Sequence, residues 1–561
     1  MKHLKNDIAA LIGIILLTLI ISFDLYSHTG IPATMDGIIH ITIIEQFYRA
    51  IQAGNFPVTW LDKYANYGLP VPLYAQQLPA YIGAFLTFLT HNPVTSFDIL
   101  VVSSLLLSAS LYYVFLRFYF RPLLAFTGVV MLSLAPYRLT DIYIRADLPE
   151  LMAAIFLPVM LIGIYLLIQK QRFIGFYLIL FTSALLTLCH PMMLVVFAFF
   201  YLPYIVYLLW SNNLTNALRL KLSMTFLFSW LIGIGIASYY IIPLKLEMKY
   251  FYFGHSDPVQ GNFNFNWANV FLERWPSHVI DGISTRVQVI QTGIIETLIL
   301  AAGIVWSFKA IFLDKQKKLS LLSVSVLSAC LILFFALPYS AFIYQHTLLQ
   351  DIQFPWRMLA VFIFIPPLIL AVLLNQINNK SIRLGAVITL VSILLIIRLP
   401  VSSGRDYINH PLSTYEFTAD NLNLIMMNTI WTGKTESYPI EKEKAAIISG
   451  KGVILQSKVN NSSRQYVVKA KTPIRMVDYT FYFPGWSVKI DGHTVPIQFQ
   501  DPAYRGVITY DVPIGKHIVD LSYQPTLVRR VADVLTFIFL ATTLILLIMN
   551  KRLNDFVYKT S

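Results

Sequence analysis

The chain has 561 residues, of which 57% are hydrophobic and only 13% are charged. Roughly a quarter of the residues of a soluble protein are charged, so this composition argues against a soluble enzyme and predicts a membrane protein. The net charge of +13 would suit a nucleic-acid-binding protein, but Lys and Arg also crowd the cytoplasmic loops of membrane proteins. We therefore expect a membrane, and no nucleic acid, among the partners.

Apolar runs near the length that crosses a bilayer, about 20 residues, follow one another along the chain. The first runs from Ile8 to Tyr26, behind Lys2 and Lys5. The run Leu78–Thr90 is too short to cross and is expected to form a juxtamembrane helix. These lengths predict a membrane all-α body of about 12 transmembrane helices. The later spans are expected to begin near Phe97, Leu123, Leu148, Phe173, Met193, Met224, Gln291, Leu319, Met358, Leu384 and Val531.

Basic residues fall at every second boundary between the predicted spans, which places both termini in the cytoplasm. The outer segments are then 27–96, 137–147, 246–290 and 339–357, with the largest, 400–528, before the last span. Few charged residues remain in the middles of the spans, which disfavours an ion-coupled transporter. The basic boundaries are Lys2/Lys5, Arg117/Arg121, Lys170/Arg172, Arg219/Lys221, Lys315/Lys317/Lys318, Lys380/Arg383 and Lys551/Arg552.

The chain divides into three regions on this pattern. Residues 1–399 form the transmembrane domain with outer loop 27–96, residues 400–528 an extracytoplasmic region, and residues 529–561 the last span with a cytoplasmic tail. The stretch from Asp406 to Lys451 is polar and is expected to be irregular. From Gly452 the chain alternates short β-branched and aromatic runs, with a tight-turn signal at Asp491-Gly492, and predicts a small β-sandwich over residues 452–525.

The first outer segment carries candidate polar residues directly after the first span. In a helix that starts at this point, Asp36 and His40 share a face, because residues four apart are neighbours. The alternative is that Asp36 only caps the helix. The stretch that includes Tyr67 is dense in Pro, Gly and aromatic residues, and predicts a folded cap at the membrane interface.

The second outer segment combines a cation with two acids: Arg145, Asp147 and Glu150. Acidic residues at a helix start are ordinary partners of the helix dipole. Beside an arginine at the membrane surface they can also bind a phosphate-bearing head group and act as acid or base. Both interpretations stay open on spacing alone.

The fourth outer segment ends in Gln353, Trp356 and Arg357. A tryptophan at this level is usually an interfacial anchor. An arginine at the start of a span either extends its head group to the interface or binds phosphate. The dipeptide His190-Pro191, between two spans, is interpreted as a turn in preference to a polar lining residue.

These motifs resemble the large membrane glycosyltransferases of the GT-C fold class, and more closely the bacterial membrane-protein family labelled "6-pyruvoyl-tetrahydropterin synthase-related". The β region is similar to the terminal domain of related bacterial proteins that decorate cell-surface polymers. The family label does not describe the chemistry, because a pterin synthase needs a three-histidine zinc site. The residues that carry the resemblance are Asp36–His40, Gly54–Pro57, Tyr67–Pro70, Arg145–Glu150, Gln353–Arg357, Pro484–Trp486, Asp491-Gly492 and Gly515–His517.

The resemblance implies a GT-C glycosyltransferase at the outer face of the bacterial plasma membrane. Its partners would be a polyprenyl-phosphate-linked sugar donor and a cell-envelope polymer or lipid acceptor, and a divalent metal would be compatible but not required. Asp36 would deprotonate the acceptor hydroxyl or orient it, and Arg145 and Arg357 would hold the leaving phosphate. A lipid flippase or transporter, and a non-catalytic envelope-assembly scaffold, are the alternatives. The expected catalytic residues are Asp36 and Glu150, and the expected substrate-binding residues are His40, Tyr67, Arg145, Asp147, Gln353, Trp356 and Arg357.

Overall fold

The computed structural model describes residues 2–62, 67–252, 265–271, 290–313, 320–404, 407–412, 415, 429–432 and 443–558. Most of the predicted outer segment 246–290, the basic loop Lys315/Lys317/Lys318 and most of the stretch Asp406–Lys451 lie outside the described residues. The helices are α1 Lys2–Ile21, α2 Phe23–Ser27, α3 Gly37–Gln52, α4 Gln77–Thr90, α5 Pro93–Arg117, α6 Pro122–Ser133, α7 Pro136–Thr140, α8 Leu148–Ala153, α9 Phe156–Ile168, α10 Ile174–Cys189, α11 Pro191–Ser211, α12 Asn216–Ile236, α13 Ser238–Glu247, α14 Trp267–Phe271, α15 Ile294–Phe308, α16 Leu321–Ala336, α17 Ala341–Gln345, α18 Leu359–Phe362, α19 Ile365–Asn375, α20 Lys380–Arg398, α21 Leu527–Ile548 and α22 Asn550–Tyr558.

The apolar helices confirm the predicted membrane protein. Within the described ranges, 9 helices are long and apolar enough to cross a bilayer, or up to 11 if each of two bent helix pairs is one span. The remaining predicted span corresponds to α10, an apolar helix of 16 residues. Helix α4, with 14 residues, is shorter than a span, as its sequence predicts.

The segment 137–147 is not the simple outer loop that the sequence predicts. Helices α6 and α7 form a bent pair that continues to Arg145, with an angle of 45° at the break before Pro136. Arg138, 3% exposed, reaches Ser108 and the Leu105 carbonyl in the middle of α5. The expectation that the spans hold few charges therefore fails here, because a proline breaks the span and a polar segment completes it.

Two spans form the centre of the helical body. The share of buried residues is 83% in each of the spans Leu148–Ile168 and Pro355–Asn375. It is only 11% in Leu527–Ile548, which presents its apolar side chains to the surroundings. Close packing in this body depends on glycine at Gly233 in α12, where a Cβ would lie 2.2 Å from the Leu180 carbonyl oxygen of α10. Small residues allow helix backbones to approach in a membrane, so α10 and α12 are fixed against each other.

The C-terminal β region forms two antiparallel sheets before the last apolar helix. The five-stranded sheet has the order β4-β5-β10-β7-β8, the three-stranded sheet has the order β3-β6-β9, and β1 pairs with β2. Side chains from the facing sides of the two larger sheets share one core, which includes Val468, Met476, Val488, Ile508 and Val519. The strands are β1 Ile31–Pro32, β2 Tyr407–Ile408, β3 Ala445–Ser449, β4 Gly452–Asn460, β5 Ser463–Ala470, β6 Ile474–Phe481, β7 Trp486–Ile490, β8 His493–Val495, β9 Val507–Val512 and β10 Gly515–Tyr523.

The predicted turn at Asp491-Gly492 joins β7 to β8, and both residues have positive φ, 49° and 85°. This is the backbone that a two-residue hairpin turn requires. The start of the β region was predicted too late, however. Strands β2 and β3 lie in the stretch expected to be irregular, and β3 takes its hydrogen bonds from β6, which is distant in sequence.

The sandwich packs on the juxtamembrane helices through its three-stranded sheet. Phe47 of α3 and Ala84 of α4 share a cluster with Val477, Phe481 and Val507 of β6 and β9. The layers therefore run from α3 and α4, through the three-stranded sheet, to the five-stranded sheet. The outer face of the five-stranded sheet points away from the helices.

A buried ion pair connects α15 to α20. Arg398 donates two hydrogen bonds to the carboxylate of Glu296, at 2.5 and 2.6 Å, and both side chains are no more than 1% exposed. Arg398 also donates to the Leu134 carbonyl at 3.1 Å, so the pair reaches the end of α6.

We expect Glu296→Gln to lower the free energy of unfolding by about 3–5 kcal/mol, because it leaves a buried guanidinium without its counter-charge. Unfolding of the purified protein in detergent measures the loss. The double variant Glu296→Leu/Arg398→Met is the control, and we expect it to lose less than Glu296→Gln. An unchanged midpoint in Glu296→Gln contradicts the prediction.

Candidate active site

Asp36 lies where the chain enters α3, held by backbone hydrogen bonds to the end of the bent pair. Its N–H donates to the Arg145 carbonyl at 2.8 Å, and the N–H of Met35 donates to that of Ile144 at 3.0 Å. A Cβ on the next residue, Gly37, would lie 2.5 Å from Thr34 Oγ1. Asp36 is the N-cap of α3, but its side chain makes no capping hydrogen bond. The carboxylate is therefore not used for the capping role that the sequence allows.

Arg145 is the centre of a buried polar network and is itself 1% exposed. Nη2 donates to Asp147 Oδ2 at 2.7 Å and to Glu150 Oε2 at 3.2 Å. Nη1 donates to the Tyr137 hydroxyl at 3.2 Å and to the Asp141 carboxylate. The Tyr137 hydroxyl donates in turn to Glu150. The donors of Arg145 are thus directed at groups of the protein, and the guanidinium holds three carboxylates in place.

Asp147 and Glu150 lie at the start of one central span. The N–H of Glu150 donates to Asp147 Oδ1 at 3.2 Å, so Asp147 caps α8. The two acids therefore lie at the N-terminus of the helix, as one interpretation of the sequence predicts, and Asp147 caps it. Both are also buried, 4% and 3% exposed, beside Arg145. The ordinary capping role and the charged cluster thus involve the same residues.

Arg357 brings the start of the other central span to the same cluster. Its Nη1 is 2.8 Å from His190 Nε2, and its Nη2 is 3.4 Å from Asp147 Oδ2. Nε lies 3.9 Å from Glu150 Oε2 and, among the described residues, has no hydrogen-bond partner. A buried N–H without a partner is costly, so this edge of Arg357 is available to a ligand.

The cluster shifts the pKa values of its members outside the spans. Burial raises the pKa of Asp36 above its ordinary value, and the nearby Asp147 raises it further. Burial would also raise the pKa of Asp147, but Arg145 and Arg357 outweigh it and hold that pKa below its usual value. Burial lowers the pKa of His40, whose Nε2 lies 4.0 Å from Asp147 Oδ1. Asp36 is thus the carboxylate best suited to take a proton.

The structure brings together Asp36, His40, Arg145, Asp147, Glu150 and Arg357 of the residues predicted from sequence. Trp356 also contacts the cluster. It is 1% exposed, and Arg145 lies over its ring, 4.6 Å from the centroid. Trp356 is therefore a support for Arg145 and not a surface anchor. Gln353 is partly exposed in the loop before Pro355.

Tyr67 lies at the interface between the helices and the sandwich. Its ring stacks on Phe481, with the centroids 4.9 Å apart, and it is 2% exposed. Its carbonyl accepts a hydrogen bond from the N–H of Phe481 at 3.0 Å. These contacts are those of a packing residue, and its predicted place in a substrate site has no support from them.

Three members of the cluster are absent from the sequence prediction. His190 lies at the turn between α10 and α11, as interpreted from the sequence, but its ring also contacts Arg357 and is 1% exposed. Asp141 has a signal that could have identified it, since it lies four residues before Arg145 in a helical segment. Tyr137 has no such signal in the sequence.

Comparison with known proteins adds one finding. No family model and no curated protein matches the sequence. The chain is similar to a solved structure described as arabinofuranosyltransferase AftD from Mycobacteria, with a TM-score of 0.40 and 14% sequence identity. The alignment covers 71% of this chain and 26% of that chain, so this chain matches about a quarter of the other protein.

Three residues of the cluster are of the types that can hold a metal ion. Asp147, Glu150 and His190 offer ligand atoms within 4.8 Å of one another, a set that suits a divalent cation. The guanidinium of Arg357 contacts all three residues, at 2.8 Å from His190 Nε2, 3.4 Å from Asp147 Oδ2 and 3.9 Å from Glu150 Oε2. The three residues do not fit a metal while Arg357 is in place, because its positive charge already occupies the position between them.

We expect chelation with EDTA to leave the thermal stability of the wild-type protein unchanged. Arg357→Ala should instead bind Mn²⁺ at least about tenfold more tightly than the wild type, because the three ligand residues then face a gap. Electron paramagnetic resonance of Mn²⁺ measures this binding. A loss of thermal stability on chelation that Mn²⁺ restores in the wild type contradicts the prediction.

Proposed function

We propose that this chain is a GT-C-type glycosyltransferase of the bacterial plasma membrane. It transfers a sugar from a polyprenyl-phosphate carrier to a cell-envelope polymer or lipid at the outer face. The observation that supports this best is the convergence of Asp36, Arg145 and Arg357. They come from three distant parts of the chain and meet where the two most buried spans begin.

The charges of the cluster suit the two charges that develop in glycosyl transfer, a positive one on the sugar and a negative one on the leaving phosphate. The acceptor oxygen attacks the anomeric carbon, the bond from that carbon to the phosphate oxygen breaks, and polyprenyl phosphate leaves with the electron pair. Asp36 takes the proton of the acceptor hydroxyl. The sugar becomes cationic as the bond breaks, as in glycoside hydrolysis, and carboxylates stabilise that charge.

The leaving phosphate needs positive charge directed at it in the transition state. Arg357 meets this need better than Arg145, because all the contacts described for Arg145 direct it at protein groups. Glu150 bonds to Arg145 and to Tyr137, so we assign it a positioning role in this mechanism. His40 and Asp147 belong to the same cluster.

Transfer assays with the purified protein in lipid test the proposal. The donors are labelled polyprenyl-phosphate sugars, and the acceptors are envelope polymers and lipids extracted from bacteria. The proposal requires formation of a labelled product together with release of polyprenyl phosphate. Movement of the intact donor across vesicles without transfer would indicate a flippase, and neither result with any donor would favour the scaffold.

We expect a membrane-impermeant maleimide, applied from outside the cell, to label Ser457→Cys in β4 and to spare Asn213→Cys between α11 and α12. Both side chains are exposed, and the basic loops place the first outside and the second in the cytoplasm. After permeabilisation both should react, which controls for access. The reverse pattern in intact cells would place the candidate active site on the cytoplasmic side.

A further inference from the structure

Four exposed lysines gather at one end of the five-stranded sheet, which we call the lysine end: Lys451, Lys469, Lys471 and Lys516. Lys469 of β5 and Lys516 of β10 are directly opposed in the strand pairing. The N–H of Lys471 donates to the Lys451 carbonyl at 2.7 Å, which brings the other two residues to the same strand ends.

The opposed pair has a cost. Like charges directly opposite each other in a sheet are destabilising. The carboxylate of Asp491, beside β10, bonds to His517 and to the N–H of Ile518 and forms its ion pair with His517. Within the part of the chain that the structure describes, none of the four ammonium groups has an ion pair. The positive-inside tendency does not explain them either, since it concerns cytoplasmic loops and this domain is expected outside.

The same face of the sheet contains a useful contrast. Lys489 of β7 is also exposed, but Asp520 is directly opposite it in β10. A lysine beside an acid is an ordinary cross-strand pair. Lys458 of β4, also exposed on this face, is opposite the neutral Gln465. The lysine end therefore differs from the rest of the face in having two lysines directly opposed.

The position of the lysine end decides what can reach it. The five-stranded sheet is the layer farthest from α3 and α4, because the three-stranded sheet lies between them. The hairpin between β4 and β5 contacts the helical body, where Arg464 and Asn461 bond to Asp62. The nine residues of β4 separate Lys451 from that hairpin by about 30 Å, and Lys469 lies five residues, about 17 Å, beyond Arg464 along β5. The lysine end is thus the end of the sheet opposite that contact.

We propose that the lysine end binds an extracytoplasmic polymer that carries repeated phosphate groups, and that this polymer is the acceptor; the second part rests on the proposed function. Lysine binds phosphate as a point charge, and one phosphate between Lys469 and Lys516 turns their repulsion into attraction. A polymer held there keeps its hydroxyl groups near the reacting residues by raising their effective concentration. The lysines themselves take no part in the bond changes.

Binding of fluorescent inorganic polyphosphate to the full chain in nanodiscs of neutral lipid tests the proposal without any sugar donor. We expect Lys469→Gln/Lys516→Gln to bind about tenfold more weakly than the wild type and with a smaller dependence on salt concentration. Lys489→Gln is the matched control and should bind within about twofold of the wild type. The thermal midpoint of the double variant should not fall, because the substitution removes a repulsion.

The outcomes separate this proposal from the proposed function. Equal affinity of the double variant and the wild type overturns it. A loss of binding free energy in Lys489→Gln that is as large per charge removed also overturns it, because it would reflect net charge alone. Tighter binding to anionic vesicles than to polyphosphate overturns it in favour of a membrane contact. If the double variant loses polyphosphate binding while the wild type transfers no sugar, the lysine end stands and the transferase assignment falls. In active protein, the double variant should raise KM for long phosphate polymers and leave KM for short acceptors unchanged.

Discussion

Asp36→Asn should reduce sugar transfer by about a hundredfold or more, because an amide cannot accept the proton of the acceptor hydroxyl. The side chain keeps its size, and the original carboxylate makes no capping hydrogen bond that the change would remove. We therefore expect folding and donor binding to stay close to those of the wild type. Initial rates with saturating donor and acceptor measure the loss, and a fluorescence thermal melt measures stability.

The pH profile gives a second measure of the same role. Burial and the neighbouring Asp147 raise the pKa of Asp36, so its basic form is lost on acidification at a higher pH than for an ordinary carboxylate. The transfer rate of the wild type should fall as the pH decreases through that value. The residual rate of Asp36→Asn should lack this limb of the profile.

A matched carboxylate serves as the control for Asp36→Asn. Asp351 is predicted to lie on the same side of the membrane, is exposed, and pairs with Lys245 at 2.6 Å. Asp351→Asn should keep full activity because it lies outside the cluster. Full activity in Asp36→Asn would remove Asp36 from the mechanism and make Glu150 or Asp147 the next candidate base.

The spans could be predicted because the bilayer imposes a length that each apolar run satisfies locally. The bends could not be placed by the same rule. Pro136 and Pro338 break helices into the two bent pairs. A count of apolar residues does not show where a proline bends a helix. Strand β3 was missed for a related reason, since Ala445–Ser449 is short and becomes a strand only by pairing with β6.

The individual residues of the candidate active site could be predicted from the sequence, but their convergence in space could not. Asp36, Arg145 and Arg357 each stand at a span end, which is a local signal of function. Their convergence depends on how three segments pack, which no periodicity encodes. His190 shows the limit: it contacts Arg357, 167 positions along the chain, and its only local feature is a proline beside it.

Arg357→Ala should weaken both donor binding and turnover. A charge-assisted contact to the phosphate is present in the ground state and strengthens in the transition state, so its loss raises KM and lowers kcat. Removal of one such group from a preorganised site typically costs about 10²–10³ in kcat. The present contacts of Arg357, one to His190 at 2.8 Å and longer ones to Asp147 and Glu150, leave donors that the phosphate can use.

The alanine variant has a structural consequence that must be separated from phosphate binding. It removes one of the two guanidinium groups beside Asp147 and Glu150, and an uncompensated buried carboxylate destabilises a fold. Arg357→Lys keeps the charge but loses the planar, multi-donor head group, so it should remain folded and recover only part of the activity. Binding of polyprenyl phosphate without a sugar decides the role directly. If that ligand binds to Arg357→Lys and to folded Arg357→Ala as tightly as to the wild type, Arg357 does not hold the phosphate, and its charge serves only to neutralise Asp147 and Glu150.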